Sequence, residues 1–272
     1  SLTPTEVVNR AAGLGLTAMA LTDHDTVSGI DEALKAAKDL DMEVIPGIEV
    51  SCIYKEKEIH ILGLYIDHTN PELLSFLKEA SRKRYDRNME MLAAFRKDGF
   101  ALTEEDLFCG NPKTIVTRAH FARALLKHGY VTSVDQAFKK YLNPDRPYYR
   151  SRELITPEEV LTVLLGAGGF PVLAHPLLYK LGWAETEALI AMLTDHGLRG
   201  LECFHSSNNQ DESGKLRKLA KKYALAPTGG SDFHGAAKPD IEIGSGRGGL
   251  RVSALYLDDI KLAMFLGGTM HA

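Results

Sequence analysis

A repeated pairing constrains this chain more than any other feature. Short apolar, strand-like runs carry a histidine or a carboxylate at or near their ends, and helical patterns separate many of them. His24 follows the run Ala18–Thr22, Glu49 lies in Glu43–Val50 and His60 lies in Ile59–Ile66. His175 ends Pro171–Ala174, His205 follows Gly200–Phe204, and Asp232 and His234 follow Ala226–Gly230. Short strands alternating with helices predict an α/β fold with a parallel sheet or barrel. In such folds the carboxyl edge of the strands is where ligands bind. Scaffold histidines have no reason to gather at one edge of successive strands, whereas His, Asp and Glu are the nitrogen and oxygen ligands that zinc, manganese and iron accept.

The length, 272 residues, suits one barrel-sized domain or one domain with an insert. Residues 1–70 alternate helix and strand signals: Thr3 or Thr5 caps a first helix, and a second runs from Ile30 to Leu40. Residues 71–150 change character. Helical patterns over Leu73–Phe95, Thr103–Leu107, Thr117–Lys127 and Ser133–Tyr141 have no strand between them, and Asn143–Pro147 reads as the exit. The alternation resumes over 151–272, with helices at Thr156–Leu165, Ala184–His196 and Ser213–Tyr223. The expected organisation is a barrel in two parts, 1–70 and 151–272, with 71–150 as a helical insert or cap.

Composition removes several classes. Apolar residues make up 44% and charged residues 25%, and 36 acidic against 32 basic side chains give a net charge of −4. That is a globular balance with no global basic field to attract nucleic acid. No apolar run reaches the ~18 residues of a membrane span, and no leader stands in the sequence given, so a cytoplasmic setting is expected. Cys52, Cys109 and Cys203 are too scattered for a disulfide framework or a cysteine zinc site. There is no Gly-x-Ser-x-Gly elbow and no phosphate loop ending in Gly-Lys.

Local strings sharpen the metal reading. Asp232 and His234 stand at i and i+2, so on a strand both project from one face, and Gly229, Gly230 and Gly235 flank them. Asp23 and Asp25 read as helix caps or partners of His24. Arg82, Lys83, Arg84 and Arg87 read as a charged helix face, and His68, His128, His196 and His271 as scaffold.

These segments carry a resemblance. Ala20–Asp25, Pro46–Ser51, Ile59–Gly63, Ala174–Pro176 and Gly230–His234 resemble, in order, motifs of the PHP (polymerase and histidinol phosphatase) family. More narrowly they are similar to its stand-alone phosphoesterases of the nucleotide phosphatase and exoribonuclease type. The resemblance implies a distorted, TIM-like (β/α)7 barrel with a helical insert, binding two or three divalent ions (Zn, Mn or Fe, with Mg possible). Carried over by motif, His24, Glu49, His60, His175, Asp232 and His234 are the expected metal ligands. Glu49 is the expected bridge, because a carboxylate has two oxygens to share. Family members open with a His-x-His strand and a Ser-Asp-Gly turn; this chain starts where that motif would end. The first barrel strand and its ligands are therefore expected to be missing from it, with Ser1 lying downstream of them.

The resemblance implies hydrolysis of phosphate esters by a metal-activated water, with no covalent enzyme intermediate. Substrates would be nucleotides, such as nucleoside bisphosphates, or short oligonucleotide ends, and inorganic phosphate the product. No membrane and no obligate protein partner is implied. Asp232, His234 and Arg118 are the expected catalytic groups, and Arg118, His120 and His205 the expected substrate contacts, an arginine fork matching phosphate geometry. Two other readings stand beside this one: a small-molecule phosphatase of the histidinol phosphate kind, and a metal- or nucleic-acid-binding module without catalysis.

Overall fold

The computed structural model describes residues 2–108, 110, 116–150, 155–246 and 249–269. Cys109 and His271 lie outside the described residues. The chain forms two compact units, Ser1–Ser75 with Ile155–Ala272, and Phe76–Leu154. No helix among the described residues is long and apolar enough to cross a membrane.

The first unit begins with α1 (Pro4–Gly13), β1 (Ala18–Leu21), α2 (Ile30–Ala37), β2 (Glu43–Tyr54) and β3 (Lys57–Leu64). Thr3, not Thr5, caps α1: its hydroxyl accepts the Glu6 N–H and the Glu6 carboxylate accepts the Thr3 N–H, while Pro4 occupies the first helical position. Thr5 instead donates to Glu32 from α2. The chain then enters α3 (Pro71–Lys97), which begins in this unit and continues into the other.

In the second unit, α3 is followed by α4 (Glu104–Phe108), α5 (Arg118–Lys127), α6 (Val134–Ala137) and a π-helical turn, Phe138–Leu142. Its core gathers Met91, Leu92, Phe95, Leu107, Phe121 and Leu125, with Phe95 stacked on Tyr148 at 3.8 Å. Arg82 pairs with Glu79 and Asp86, but Arg84 and Arg87 are buried rather than solvated. The charged-face reading thus fails for those two.

Asp106 anchors this unit. Its carboxylate accepts from the Thr103 N–H and hydroxyl and lies 2.8 Å from Lys127 Nζ and 2.9 Å from His128 Nε2. Burial raises this carboxyl, but Lys127, His128 and Thr103 outweigh it and hold it well below the ordinary carboxylate range. Its stabilisation is therefore present above the unfolded value of roughly 3.9 and lost as pH falls towards the lower folded value. Asp106→Asn should cost roughly 1 kcal/mol at neutral pH. In urea titrations that cost should shrink in acid; a cost independent of pH would contradict this account.

The first unit resumes with α7 (Pro157–Gly166), β4 (Phe170–Leu173), α8 (Trp183–Asp195), β5 (Gly200–His205), α9 (Gln210–Lys222), β6 (Ala226–Gly230) and α10 (Leu255–Thr269). The six strands form one curled, parallel-rich sheet in the order β1-β2-β3-β4-β5-β6. β1/β2, β4/β5 and β5/β6 are parallel; β2/β3 and β3/β4 are antiparallel.

One strand departs from the parallel order: β3 runs antiparallel to both its neighbours. β2 and β3 are joined only by Lys55 and Glu56, both at positive φ (44° and 66°). That is a two-residue hairpin turn of the mirror-image type, which reverses the chain with no crossover helix. His60 therefore sits within a returning strand, opposite Ser51. α9 starts three residues earlier than expected because Asn209 caps it, with Glu212 completing the box. α10 was not expected; it buries Ile260 against Ile45, Leu64, Phe170 and Val172.

Candidate metal centre

A cavity of about 980 Å³ opens within the first unit, and its polar wall includes His24, Glu49, His175, Glu202, Asp232 and His234. These side chains arrive from different elements. His24 leaves β1, and its loop is stitched to β2 by Asp25 N–H to Glu49 O (2.8 Å) and Glu49 N–H to Asp23 O (3.1 Å). The Asp25 carboxylate accepts the Ser51 N–H and hydroxyl at 2.9 and 3.1 Å. Asp25 thus serves the loop's attachment.

Glu49 is the focus. It is 5% exposed, and three imidazoles face its two oxygens. His60 Nδ1 lies 2.7 Å and His175 Nε2 2.9 Å from Oε1, and His24 Nε2 lies 3.5 Å from Oε2. His60 Nδ1 and His175 Nε2 are themselves 3.3 Å apart. Burial raises the Glu49 carboxyl, but hydrogen bonds to His175 and His60 and the nearby His24 outweigh it, holding it well below the ordinary range. It is an anion at neutral pH. Burial lowers His60, but Glu49 and Glu58 overturn that and raise it.

A second group forms around Asp232. His234 Nδ1 lies 2.9 Å from the Asp232 carbonyl oxygen, so that nitrogen donates and Nε2 carries the ring's lone pair. The Ser207 N–H donates to His205 Nδ1, so a neutral His205 carries its proton on Nε2, which faces Asp232 Oδ2 at 3.5 Å. Lys238 Nζ is 2.5 Å from the same oxygen. Burial raises Asp232, and His205 and Lys238 outweigh it, holding the carboxyl at about 2. The two groups adjoin: the His24 and His234 rings are 5.9 Å apart, and those of His175 and His205 are 5.6 Å apart.

The residues fit a divalent cation. The ligand atoms of His24, Glu49 and His60 lie within 4.8 Å of one another, a nitrogen and oxygen donor set that suits zinc, manganese or iron. His175 Nδ1 is buried without a hydrogen-bond partner. His234 already donates its other nitrogen to a carbonyl, as metal-bound imidazoles do. Backbone strain gathers here as well: Asp25, His175 and Asp232 have φ of 54°, 25° and 53°. Non-glycine residues held this way cost about 1–3 kcal/mol each and persist where the surroundings fix them.

Of the expected ligands, His24, Glu49, His175, Asp232 and His234 line one cavity, and His60 joins them through Glu49. Arg118 and His120 belong to the second unit. There the Arg118 guanidinium lies over the Tyr149 ring at 5.5 Å, and His120 Nδ1 accepts the Thr117 N–H at the start of α5. His68, His128 and His196 each have a local partner: Asp31, Asp106 and the Met192 carbonyl. Two buried residues escaped the sequence reading, Glu202 and Tyr179. Glu202 left a signal, a carboxylate in the apolar run Gly200–Phe204; Tyr179 left none.

Comparison with known proteins agrees with this geometry. The PHP domain pattern matches residues 1–148. The chain is 35% identical over 246 residues to the 3',5'-nucleoside bisphosphate phosphatase of Chromobacterium violaceum, covering 90% of this chain and 86% of that protein. It is 35% identical over 236 residues to the 5'-3' exoribonuclease of Haemophilus influenzae, covering 86% and 85%. Among solved structures, an amidohydrolase from Chromobacterium violaceum with bound sulfate superposes with a TM-score of 0.81 at 32% identity, covering 96% of this chain and 91% of that one. A structure from Bifidobacterium adolescentis, assigned provisionally as a metal-dependent phosphoesterase, gives 0.78 at 29% identity, covering 97% and 91%. Motif order, curled sheet and histidine–carboxylate cluster agree with these likenesses: the chain belongs to the PHP domain family.

Proposed function

We propose that this protein is a metal-dependent phosphoesterase acting on nucleotides, with nucleoside bisphosphates or short oligonucleotide ends as substrates and inorganic phosphate as product. The observation that carries the reading is the buried, ionised Glu49 faced by nitrogens of His24, His60 and His175. The names of the relatives, a nucleotide phosphatase and an exoribonuclease, support the substrate class.

His24, Glu49, His60, His175, Asp232 and His234 would hold two or three divalent ions, Zn, Mn or Fe, with Mg an alternative. Ions bound there supply Lewis-acid chemistry, acidifying a water and offsetting charge on the phosphate. The chain's own groups do the rest. Asp232, ionised at neutral pH, offers its carboxylate to a bound ion, and His205 and Lys238 orient it. His234 presents the lone pair of Nε2. We read residues 71–150 as an insert between barrel parts 1–70 and 151–272, with Arg118 and His120 as its contribution to phosphate binding. We place the protein in the cytoplasm, where cell fractionation should find it.

Phosphate release from adenosine 3',5'-bisphosphate tests the reading. Asp232→Ala and His234→Ala should each lower kcat/KM by at least about 100-fold. Full activity in both would sink the site. A strong preference for histidinol phosphate would transfer the reading to a small-molecule phosphatase.

A further inference from the structure

Two buried side chains that the proposed chemistry does not use converge on the backbone around His175. Glu202, projecting from β5, is 5% exposed. Its Oε2 accepts the His175 N–H at 2.6 Å, and a Cβ at Gly230 would stand 2.9 Å from its Oε1. Glycine at 230 therefore leaves room for the carboxylate on the neighbouring strand. From the other side, the Tyr179 hydroxyl donates to the Ala174 carbonyl at 2.6 Å and accepts the His60 N–H at 2.9 Å. One hydroxyl thus joins β3, which carries His60, to the turn that carries His175.

The backbone between these clamps is doubly disfavoured. His175 has φ 25° and ψ 58°, a left-handed conformation that L side chains rarely adopt. It also precedes Pro176, whose ring pushes the preceding residue towards extended backbone. Such a conformation persists only where its surroundings hold it. Here the holding groups are a buried carboxylate and a buried phenol.

We propose that Glu202 and Tyr179 are positioning residues of the metal centre: they hold the strained His175 turn so that its imidazole reaches Glu49, and Tyr179 sets His60 in the same register. Neither is assigned as a ligand. The inference rests on the metal-centre reading, and the test separates the two. Co²⁺ affinity by competition and the Co²⁺ visible spectrum are compared for wild type, Glu202→Gln, Glu202→Leu and Tyr179→Phe. Thermal unfolding is measured alongside, with Cys203→Ala as a buried control on the same strand.

Outer-shell partners of metal ligands are worth about 10–100-fold in metal affinity. Glu202→Leu and Tyr179→Phe should each weaken Co²⁺ binding by that factor and alter the spectrum. Glu202→Gln keeps an acceptor for the His175 N–H and should stay within about threefold of wild type. Cys203→Ala should lose stability and keep the spectrum. If Glu202→Leu fails to fold, Tyr179→Phe, which removes a single oxygen, carries the same readout. Variants that lose stability yet bind Co²⁺ like wild type would overturn the positioning role and leave the metal centre standing. A wild type that takes up no Co²⁺ would overturn the metal reading, and this inference with it.

Discussion

Glu49→Gln should lower kcat/KM for a nucleoside bisphosphate by about 1,000-fold or more, a loss of about 4 kcal/mol of transition-state stabilisation. The substitution keeps volume and shape, so the β2 core around it need not repack. What it removes is charge. Glu49 is ionised at neutral pH because His175 and His60 hydrogen-bond to it and His24 lies beside it, so glutamine deletes a full negative charge. An amide also presents one acceptor oxygen where the carboxylate presents two, and here one oxygen faces His60 and His175 while the other faces His24. Chemical denaturation of the variant without added metal separates the site from the fold. A folded protein retaining activity within tenfold of wild type would remove Glu49 from the mechanism.

Divalent metal should stabilise the first unit by about 4 kcal/mol when free ion is near 1,000 times its dissociation constant. For a unit of this size that corresponds to a rise in Tm of roughly 8–16 °C. The reason is linkage: the ligands come from the loop after β1, from β2 and β3, from the turn after β4 and from the loop after β6, so only the folded unit assembles them. The strained backbones of Asp25, His175 and Asp232 add to the point, since ligand contacts reward a geometry the unfolded chain does not hold. Calorimetry with Mn²⁺ should raise the unfolding transition, and chelator should reverse the shift. Glu49→Gln should lose most of the effect. No shift at saturating Mn²⁺ would contradict metal binding at this cluster.

Much of this arrangement was legible because apolar periodicity and ligand chemistry pointed to the same places. Six short runs that end in, carry or precede a histidine or carboxylate are strands, and His24, Glu49, His175, Asp232 and His234 line one cavity. What escaped depended on signals the local sequence does not carry. Lys55-Glu56 lacks the glycine or asparagine that marks a mirror-image hairpin turn, so nothing in the local sequence signals the reversal into β3, the strand that carries His60. Asn209 and Glu212 do form a legible capping box, and it starts α9 three residues ahead of the helical pattern over Ser213–Tyr223. Arg84 and Arg87 look like surface charge on helical spacing, but their burial is decided by tertiary packing. Tyr179 reaches His60 over 119 residues of chain, a contact that no periodicity encodes.

Hydrolysis of nucleotide phosphate esters by the histidine–carboxylate cluster should require bound divalent metal. Phosphate release from adenosine 3',5'-bisphosphate measures this directly when one preparation is assayed as purified, after chelation and dialysis, and after reloading with Mn²⁺. Release should fall to background on chelation and return on reloading. Release that persists after the metal has been stripped, or that never appears in folded, metal-loaded protein, would contradict it.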